Sequence, residues 1–171
     1  NVNMMNNTSS PTVSISYTLI DLYAAEAGIA FTNLRNGMAK GDTINILRTD
    51  NGIICRGISV NGCKKLQLEA NDIIGTDTAD VLQQGIYISG SDTSKLFCNY
   101  TDDTYEGILA NGISENCDIR SNTMHDHAKG FHLNSGSRIG LHYWKGNLWD
   151  GNYSRIGAVY DNATSPQLAA S

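Results

Sequence analysis

The sequence is short of charge, of basic clusters and of long apolar segments. Charged residues make up only 17% of the 171 residues, whereas 17 glycines are present, a balance typical of a turn-rich all-β protein. No run of roughly 18 apolar residues occurs, which excludes a membrane-spanning helix and hence direct membrane insertion. Lysine and arginine are scattered and the net charge is −5. Nucleic acid is therefore not expected as a partner, because phosphate binding requires clustered positive charge.

Cysteine pairs and a targeting segment are missing as well. The four cysteines, Cys55, Cys63, Cys98 and Cys117, are far apart and form no Cys-x-x-Cys pair, which argues against zinc. Three alternatives remain: buried or half-buried thiols, one disulfide such as Cys55–Cys63 across a turn, or a reactive or metal-binding thiol. The chain opens at Asn1 without a signal-peptide pattern. We therefore expect a mature form or a segment of a longer protein.

What the sequence does contain is a repeat between residues 57 and 152. Each unit begins with glycine, followed by alternating apolar residues and a turn. The four openings are Gly57-Ile-Ser-Val-Asn-Gly, Gly85-Ile-Tyr-Ile-Ser-Gly, Gly107-Ile-Leu-Ala-Asn-Gly and Gly130-Phe-His-Leu-Asn-Ser-Gly. Their glycines are 28, 22 and 23 residues apart. Such a period indicates stacked units that bury their apolar faces against one another.

The repeat predicts which side chains stack. Strand side chains alternate between two faces, so Ile58, Ile86, Ile108 and Phe131 should point inward and touch in turn. Their neighbours Ser59, Tyr87, Leu109 and His132 should point outward. An asparagine recurs at one turn of each unit and should form an internal ladder, because asparagine tolerates turn conformations and both donates and accepts hydrogen bonds. These asparagines are Asn71, Asn99, Asn122 and Asn147.

Units of the form Gly-Ile-x-Ile-x-Gly…Leu-x-x-Asn-x-Ile resemble the right-handed parallel β-helix repeats of pectin-lyase-like proteins. The resemblance implies an all-β solenoid of roughly 5–6 coils, expected to be a segment of a longer protein. A leucine-rich repeat would need a Leu-x-x-Leu-x-Leu ladder, and a left-handed β-helix would need a six-residue period; the sequence contains neither.

The domain organisation follows from where the repeat is clear. We predict a flexible arm over residues 1–12, degenerate first coils or an N-terminal cap over 13–56, regular coils over 57–152, and a last strand with a C-terminal tail over 153–171. A short helical turn over residues 21–28 is also expected, since Gly28 could end it.

Two polar groups are candidates for chemistry. His125, Asp126 and His127, with His132 nearby, could bind a ligand or act as acid and base, although they could equally form a solvated turn. Their local spacing argues against a tight metal site, so we predict no metal. On outward faces, Asp118, Arg120 and His142 could join His125 and His132 in catalysis, whereas a plain surface ion pair of Asp118 with Arg120 or Lys95 is the alternative. Tyr87, Tyr143 and Trp144 could stack on sugar rings.

The resemblance implies fold more than function. Motifs of polygalacturonase-like and pectate-lyase-like enzymes are absent, and no cofactor is predicted; Ca2+ would suit such a surface but has no motif here. Our first hypothesis is a non-catalytic secreted or bacterial cell-surface module, such as an adhesin, stalk or passenger segment. It would bind a polysaccharide or protein partner through its lateral face, or be held by a parent chain or secretion machinery. The alternative is a polysaccharide lyase, epimerase or glycoside hydrolase acting on a bacterial or plant glycan; a trimeric phage tail-spike piece is a third.

Overall fold

The computed structural model describes residues 2–5, 13–23, 25–48, 52–134, 136–139 and 146–161. All regular elements in these ranges are β-strands, and no helix among them could cross a membrane. The first nine strands are β1 (Val2–Met5), β2 (Val13–Ser16), β3 (Leu19–Tyr23), β4 (Ala27–Thr32), β5 (Gly37–Lys40), β6 (Thr43–Arg48), β7 (Cys55–Asn61), β8 (Gln67–Glu69) and β9 (Asp72–Ile74). They are followed by β10 (Gln83–Ser89), β11 (Lys95–Phe97), β12 (Tyr100–Asp102), β13 (Glu106–Asn111), β14 (Ile113–Ser114), β15 (Asp118–Arg120), β16 (Thr123–His125), β17 (Lys129–Leu133), β18 (Arg138–Ile139), β19 (Leu148–Asp150) and β20 (Ile156–Tyr160).

Three parallel sheets run along the length of the molecule. Sheet A has the order β1-β4-β7-β10-β13-β17-β20, sheet B the order β2-β5-β8-β11-β15, and sheet C the order β3-β6-β9-β12-β16-β19. Strands β14 and β18 form a short additional pair. Strands that follow one another in the three sheets make one coil, and each strand pairs with its equivalent in the next coil. The chain is therefore a parallel β-helix of about 5 turns, which confirms the predicted fold class.

The core consists of aliphatic columns that pass from coil to coil. Ile58, Ile86, Ile108 and Phe131 are in direct register along sheet A. Three of them are fully buried and Phe131 is 6% exposed. The predicted outward column of Ser59, Tyr87, Leu109 and His132 is in register on the opposite face. The sequence thus predicted both faces of sheet A correctly.

The predicted asparagine ladder lies at the corner between sheets B and C. Asn71 Nδ2 donates to Asn99 Oδ1 at 2.9 Å, Asn99 Nδ2 to Asn122 Oδ1 at 2.9 Å, and Asn122 Nδ2 to Asn147 Oδ1 at 3.0 Å. Each of these amides also donates to a backbone carbonyl of the preceding coil, as Asn99 does to Leu68 at 3.1 Å. Both Nδ2 protons of Asn71, Asn99 and Asn122 are thereby used inside the solenoid.

The glycine that opens each unit allows close stacking between coils. A Cβ atom added to Gly85 would lie 2.4 Å from the carbonyl oxygen of Gly107 in the next coil, and one added to Gly57 would lie 2.8 Å from that of Gly85. Any larger residue would push two coils apart at this position in sheet A. The repeated glycine is therefore a packing requirement of the solenoid.

Two expectations about the first coils are wrong. Val2–Met5 was expected in a flexible arm, but it forms β1 and pairs in parallel with β4. Residues 21–28 were expected to contain a helical turn, but they contribute to β3 and β4. In both places side chains reach the core: Val2 packs against it, and Leu22 is 2% exposed. Tertiary pairing overrides the weak local signal there.

Candidate metal centre

The outward face of sheet C carries a column of polar residues in its last coils. Asp102, His125 and Asp150 are consecutive register partners on β12, β16 and β19. They point outward because they alternate with the inward column of Thr101, Met124 and Trp149, which occupies the same three strands. The fold therefore holds an imidazole between two carboxylates, each one coil away.

Asp102, His125 and Asp126 bring their donor atoms together. His125 Nδ1 lies 3.0 Å from Asp102 Oδ1 and 3.6 Å from Asp126 Oδ2. The donor atoms of all three residues lie within 4.8 Å of one another. Their side chains are 21–33% exposed, so an ion in solvent can reach them. We call these three residues the Asp-His-Asp cluster.

Neighbouring groups fix the two carboxylates. Tyr100 donates its hydroxyl to Asp102 Oδ2 at 3.1 Å, and its ring stacks on the imidazole of His125 with a centroid separation of 6.3 Å. Asp126 has a left-handed backbone, with φ of 45°. Its Oδ1 accepts a hydrogen bond from the backbone N–H of Asn152. One oxygen of each carboxylate is thus anchored, and the other faces His125.

The electrostatic environment of the cluster is acidic. The hydrogen bond from His125 to Asp102 raises the pKa of the imidazole above its ordinary value of 6.5. Burial, followed by the adjacent Asp102 carboxylate, raises the pKa of the Tyr100 hydroxyl to about 12. Burial also raises the pKa of Asp103, with further contributions from Asp102 and Asp126. Positive charge is therefore favoured at this place on the surface.

The donor set fits a divalent transition-metal ion. Imidazole nitrogen and carboxylate oxygen bind such ions at about 2.0–2.2 Å, so ligands on opposite sides of one ion are at most about 4.4 Å apart. The three donor atoms are already at nearly this spacing, and small side-chain rotations would bring them onto a common ion. Mixed nitrogen and oxygen sets suit Cu2+ and Ni2+, with water completing the coordination.

An open groove of about 250 Å³ lies beside the cluster. Asp126 belongs to both, and the other lining residues are Thr78, Asp103, Asn152, Tyr153 and Ser154. These side chains offer hydroxyl, amide and carboxyl groups, so water or a small polar molecule can reach the cluster from this side.

The remaining predicted site residues lie elsewhere in the molecule, and one of them, His127, is in the interior. His127 is fully buried, and its Nδ1 and Nε2 lie 2.9 and 3.0 Å from the carbonyl oxygens of Thr104 and Thr101. The Thr101 hydroxyl is also 3.0 Å from Nε2, and the Thr104 hydroxyl is 3.1 Å from Nδ1. Burial lowers the pKa of His127. Its role is to satisfy polar groups inside the solenoid.

His132 belongs to a separate group on the outward face of sheet A. Its Nδ1 lies 2.5 Å from Glu106 Oε1 and its Nε2 3.0 Å from Asp161 Oδ2. Lys129 Nζ is 3.7 Å from the same Glu106 oxygen. His132 and Glu106 are each 5% exposed. This group is on a different sheet from His125, so the two histidines do not form one site.

The other candidates form ordinary surface contacts or cannot be placed. Arg120 Nε lies 3.6 Å from Asp118 Oδ2, and its guanidinium lies 5.9 Å from the ring centroid of Phe97. Tyr87 accepts a hydrogen bond from Asn111 Nδ2 at 3.1 Å and carries the Arg56 guanidinium 4.1 Å above its ring. His142, Tyr143 and Trp144 lie outside the described residues.

Sequence reasoning found His125 and Asp126 but missed Asp102. Local spacing does not reveal this third residue, because Asp102 lies 23 residues before His125 and its sequence neighbourhood predicts a polar turn. The signal lay in the repeat itself: Asp102 and His125 are each three residues after a ladder asparagine, Asn99 and Asn122. Aligning the units on those asparagines would have placed the two side chains next to each other.

The fold defines the chain as a parallel β-helical solenoid with a polar lateral cluster. A family model described as "Periplasmic copper-binding protein (NosD)" matches residues 70–164, more than half of the chain, and the chain belongs to this family. The resemblance to right-handed parallel β-helix repeats is thereby confirmed. Neither the search of curated proteins nor that of solved structures gave a match. The family description agrees with a secreted or cell-envelope location.

Proposed function

We propose that the protein is a non-catalytic periplasmic β-helical module that binds copper through the Asp-His-Asp cluster. The observation that carries this proposal is the convergence of His125 Nδ1, Asp102 Oδ1 and Asp126 Oδ2 at one solvent-accessible point. The cluster also lies inside the segment matched by a family model whose description names copper.

The chemistry of the donors supports this assignment. Among the first-row divalent ions, Cu2+ binds nitrogen and oxygen sites most tightly. Two carboxylates compensate the charge of the ion, while the imidazole supplies a nitrogen ligand. The rigid ladder at the neighbouring corner fixes the spacing of β12 and β16, so the ligands are held before the ion arrives.

The proposal can be tested by titrating CuCl2 into the purified chain in a calorimeter. Wild-type protein should bind one ion, and His125→Ala and Asp102→Asn should each weaken binding at least about tenfold, since loss of even an outer partner of a metal ligand costs 10–100-fold. Asp72→Asn is a matched control, because Asp72 is an exposed carboxylate on the same face of sheet C one coil earlier. Circular dichroism should show that all variants are folded. Equal affinity of wild type and both cluster variants would refute the proposal.

A second candidate function is contact with a glycan on the outward face of sheet A. It is favoured by Tyr87, which carries Arg56 over its ring, and by the close pair of Glu106 and His132 on the same face. A carboxylate paired with imidazole could also support acid–base chemistry. Depolymerisation assays on uronate polymers, with and without Ca2+, separate binding from turnover; turnover that disappears in Glu106→Gln would favour the enzyme alternative.

A further inference from the structure

We propose that the Asp-His-Asp cluster discriminates between the two oxidation states of copper, holding Cu2+ and releasing the ion once it is reduced to Cu+. The proposal rests on the copper-binding function proposed above. In chemical terms, the bound Cu2+ gains one electron from a one-electron donor of the ene-diol class, such as ascorbate, which is oxidised to its radical. The bonds of the resulting Cu+ to nitrogen and oxygen then break, and no protein group is oxidised.

The first argument is the chemical type of the donors. The cluster offers one imidazole nitrogen and two carboxylate oxygens. Cu2+ favours such nitrogen and oxygen ligands, whereas Cu+ is a soft ion that favours thiolate and thioether sulfur. Reduction therefore turns a well-matched ion into a poorly matched one without any change in the protein.

The second argument is where sulfur lies in the described part of the chain. Cys63 and Cys117 are buried, and their Sγ atoms donate to the carbonyl oxygens of Asn61 and Ser91. Met124 precedes His125 but points into the core and is 1% exposed. Cys98 is exposed, at the turn between β11 and β12. None of these sulfur atoms belongs to the Asp-His-Asp cluster.

The third argument is electrostatic. Two carboxylates face the ion position, and the Coulomb attraction between them and a cation is proportional to the charge of the cation. Reduction from Cu2+ to Cu+ halves that attraction while the desolvation of the carboxylates is unchanged. Reduction therefore weakens binding in two ways: the ion no longer prefers nitrogen and oxygen ligands, and its attraction to the carboxylates is smaller.

The fourth argument is that the ligands cannot rearrange freely. Asp102 is held by the Tyr100 hydroxyl and Asp126 by the backbone N–H of Asn152. Cu+ favours few ligands in a linear or trigonal arrangement, and reaching it would require these carboxylates to leave their hydrogen bonds. The pre-set donors thus keep the preference for Cu2+.

The experiment compares the two ions on the same protein. Cys98→Ser is used throughout, because an exposed thiol would bind Cu+ elsewhere. Cu2+ affinity is measured by calorimetry and by the electron paramagnetic resonance signal of the bound ion. Cu+ affinity is measured without oxygen, by competition with the Cu+ chelator bathocuproine. We expect Cu+ to bind at least about 100-fold more weakly than Cu2+, since the Asp-His-Asp cluster contains no soft ligand. Adding ascorbate to the Cu2+-loaded protein should transfer the ion to the chelator.

A gain-of-function variant makes the test sharper. Asp102→Cys replaces one oxygen donor by sulfur on a regular strand, and it should raise Cu+ affinity at least about tenfold while lowering Cu2+ affinity. Cu+ that binds as tightly as Cu2+ to the Cys98→Ser protein, or an ion that stays on the protein after reduction, would overturn the inference alone. Absence of any Cu2+ binding would instead overturn the proposed function.

Discussion

The corner between sheets B and C and the outward face of sheet C both stack polar side chains coil upon coil, but they do so differently. At the corner, Asn71, Asn99 and Asn122 each donate to the asparagine of the next coil, and Asn147 is the last acceptor in the described residues. On the face, the stack consists of unlike residues: Asp102, His125 and Asp150. The corner is buried, whereas the face is in contact with solvent.

The difference shows what stacking demands in each environment. A buried stack needs a side chain that donates to one neighbour and accepts from the other, and asparagine does both. An exposed stack has no such requirement, because water satisfies whatever the neighbours do not. The face is therefore free to place unlike groups side by side. The repeated asparagines stabilise the solenoid, whereas the unlike residues on the face bring different functional groups together.

The largest effect should come from breaking the ladder at its centre. Asn99→Ala removes the acceptor of Asn71 Nδ2 and of the Asn71 backbone N–H, as well as the donor to Leu68 O. Each buried group left without a partner costs about 1–3 kcal/mol. We expect a loss of about 3 kcal/mol or more in the free energy of unfolding, measured by urea denaturation.

Asn45→Ala provides the matched comparison. Asn45 donates to Asp21 Oδ1 at 2.8 Å in an exposed contact on β6, where alanine is accommodated without strain, so its removal should change stability by less than about 0.5 kcal/mol. Similar losses for the two variants would mean that burial does not distinguish ladder asparagines from others.

The same difference between repeated and unlike stacks explains which features could be predicted from the sequence. The ladder and the column of Ile58, Ile86 and Ile108 were predictable because identical demands select similar residues at a fixed period. The pairing of Asp102 with His125 has no repeating signature, so it required knowledge of the register. Val2–Met5 was missed because its partner β4 is far along the chain and its flanks are polar.

The pH dependence of stability tests the same contrast between buried and exposed positions, through His127 and His125. Burial lowers the pKa of His127, so its contribution to stability is present above the unfolded pKa of about 6.5 and is lost as pH falls through the lower folded pKa. His125 has the opposite sign: Asp102 raises its pKa, so its contribution is present below about 6.5 and is lost as pH rises through the raised pKa.

Free energies of unfolding measured between pH 4.5 and 8 should show both of these opposite pH dependences. Compared with wild type, His127→Gln should lose less stability on acidification, by up to about 1.4 kcal/mol per pH unit between the two pKa values. His125→Gln should lose less stability as pH rises above about 6.5. Identical pH profiles for wild type and both variants would contradict the assigned environments.

A smaller gain is expected at the start of the ladder. Asp42 occupies the ladder position before Asn71: its backbone N–H donates to Asn71 Oδ1 at 3.1 Å, and its Oδ1 accepts from Thr18. In the described structure its buried Oδ2 has no hydrogen-bond partner. Asp42→Asn would place an amide donor there and extend the ladder by one coil. We expect a gain of about 1 kcal/mol in thermal unfolding experiments; Asp72→Asn, on an exposed residue, should give none.

The smallest effect on stability should come from the exposed stack itself. His125→Ala and Asp102→Asn break a partly exposed pair, which contributes roughly 0–1 kcal/mol. Their melting temperatures should stay near that of wild type even though copper binding is weakened. A loss as large as that of Asn99→Ala would show that the exposed stack supports the fold as much as the ladder does.

The central claim is that the Asp-His-Asp cluster beside sheet C is a copper site. Crystals soaked in CuCl2 and measured on both sides of the copper absorption edge locate the ion directly. The account predicts one anomalous peak within bonding distance of Asp102 Oδ1, His125 Nδ1 and Asp126 Oδ2, which disappears in His125→Ala crystals. A peak elsewhere on the solenoid, or a peak that persists in the variant, would contradict it.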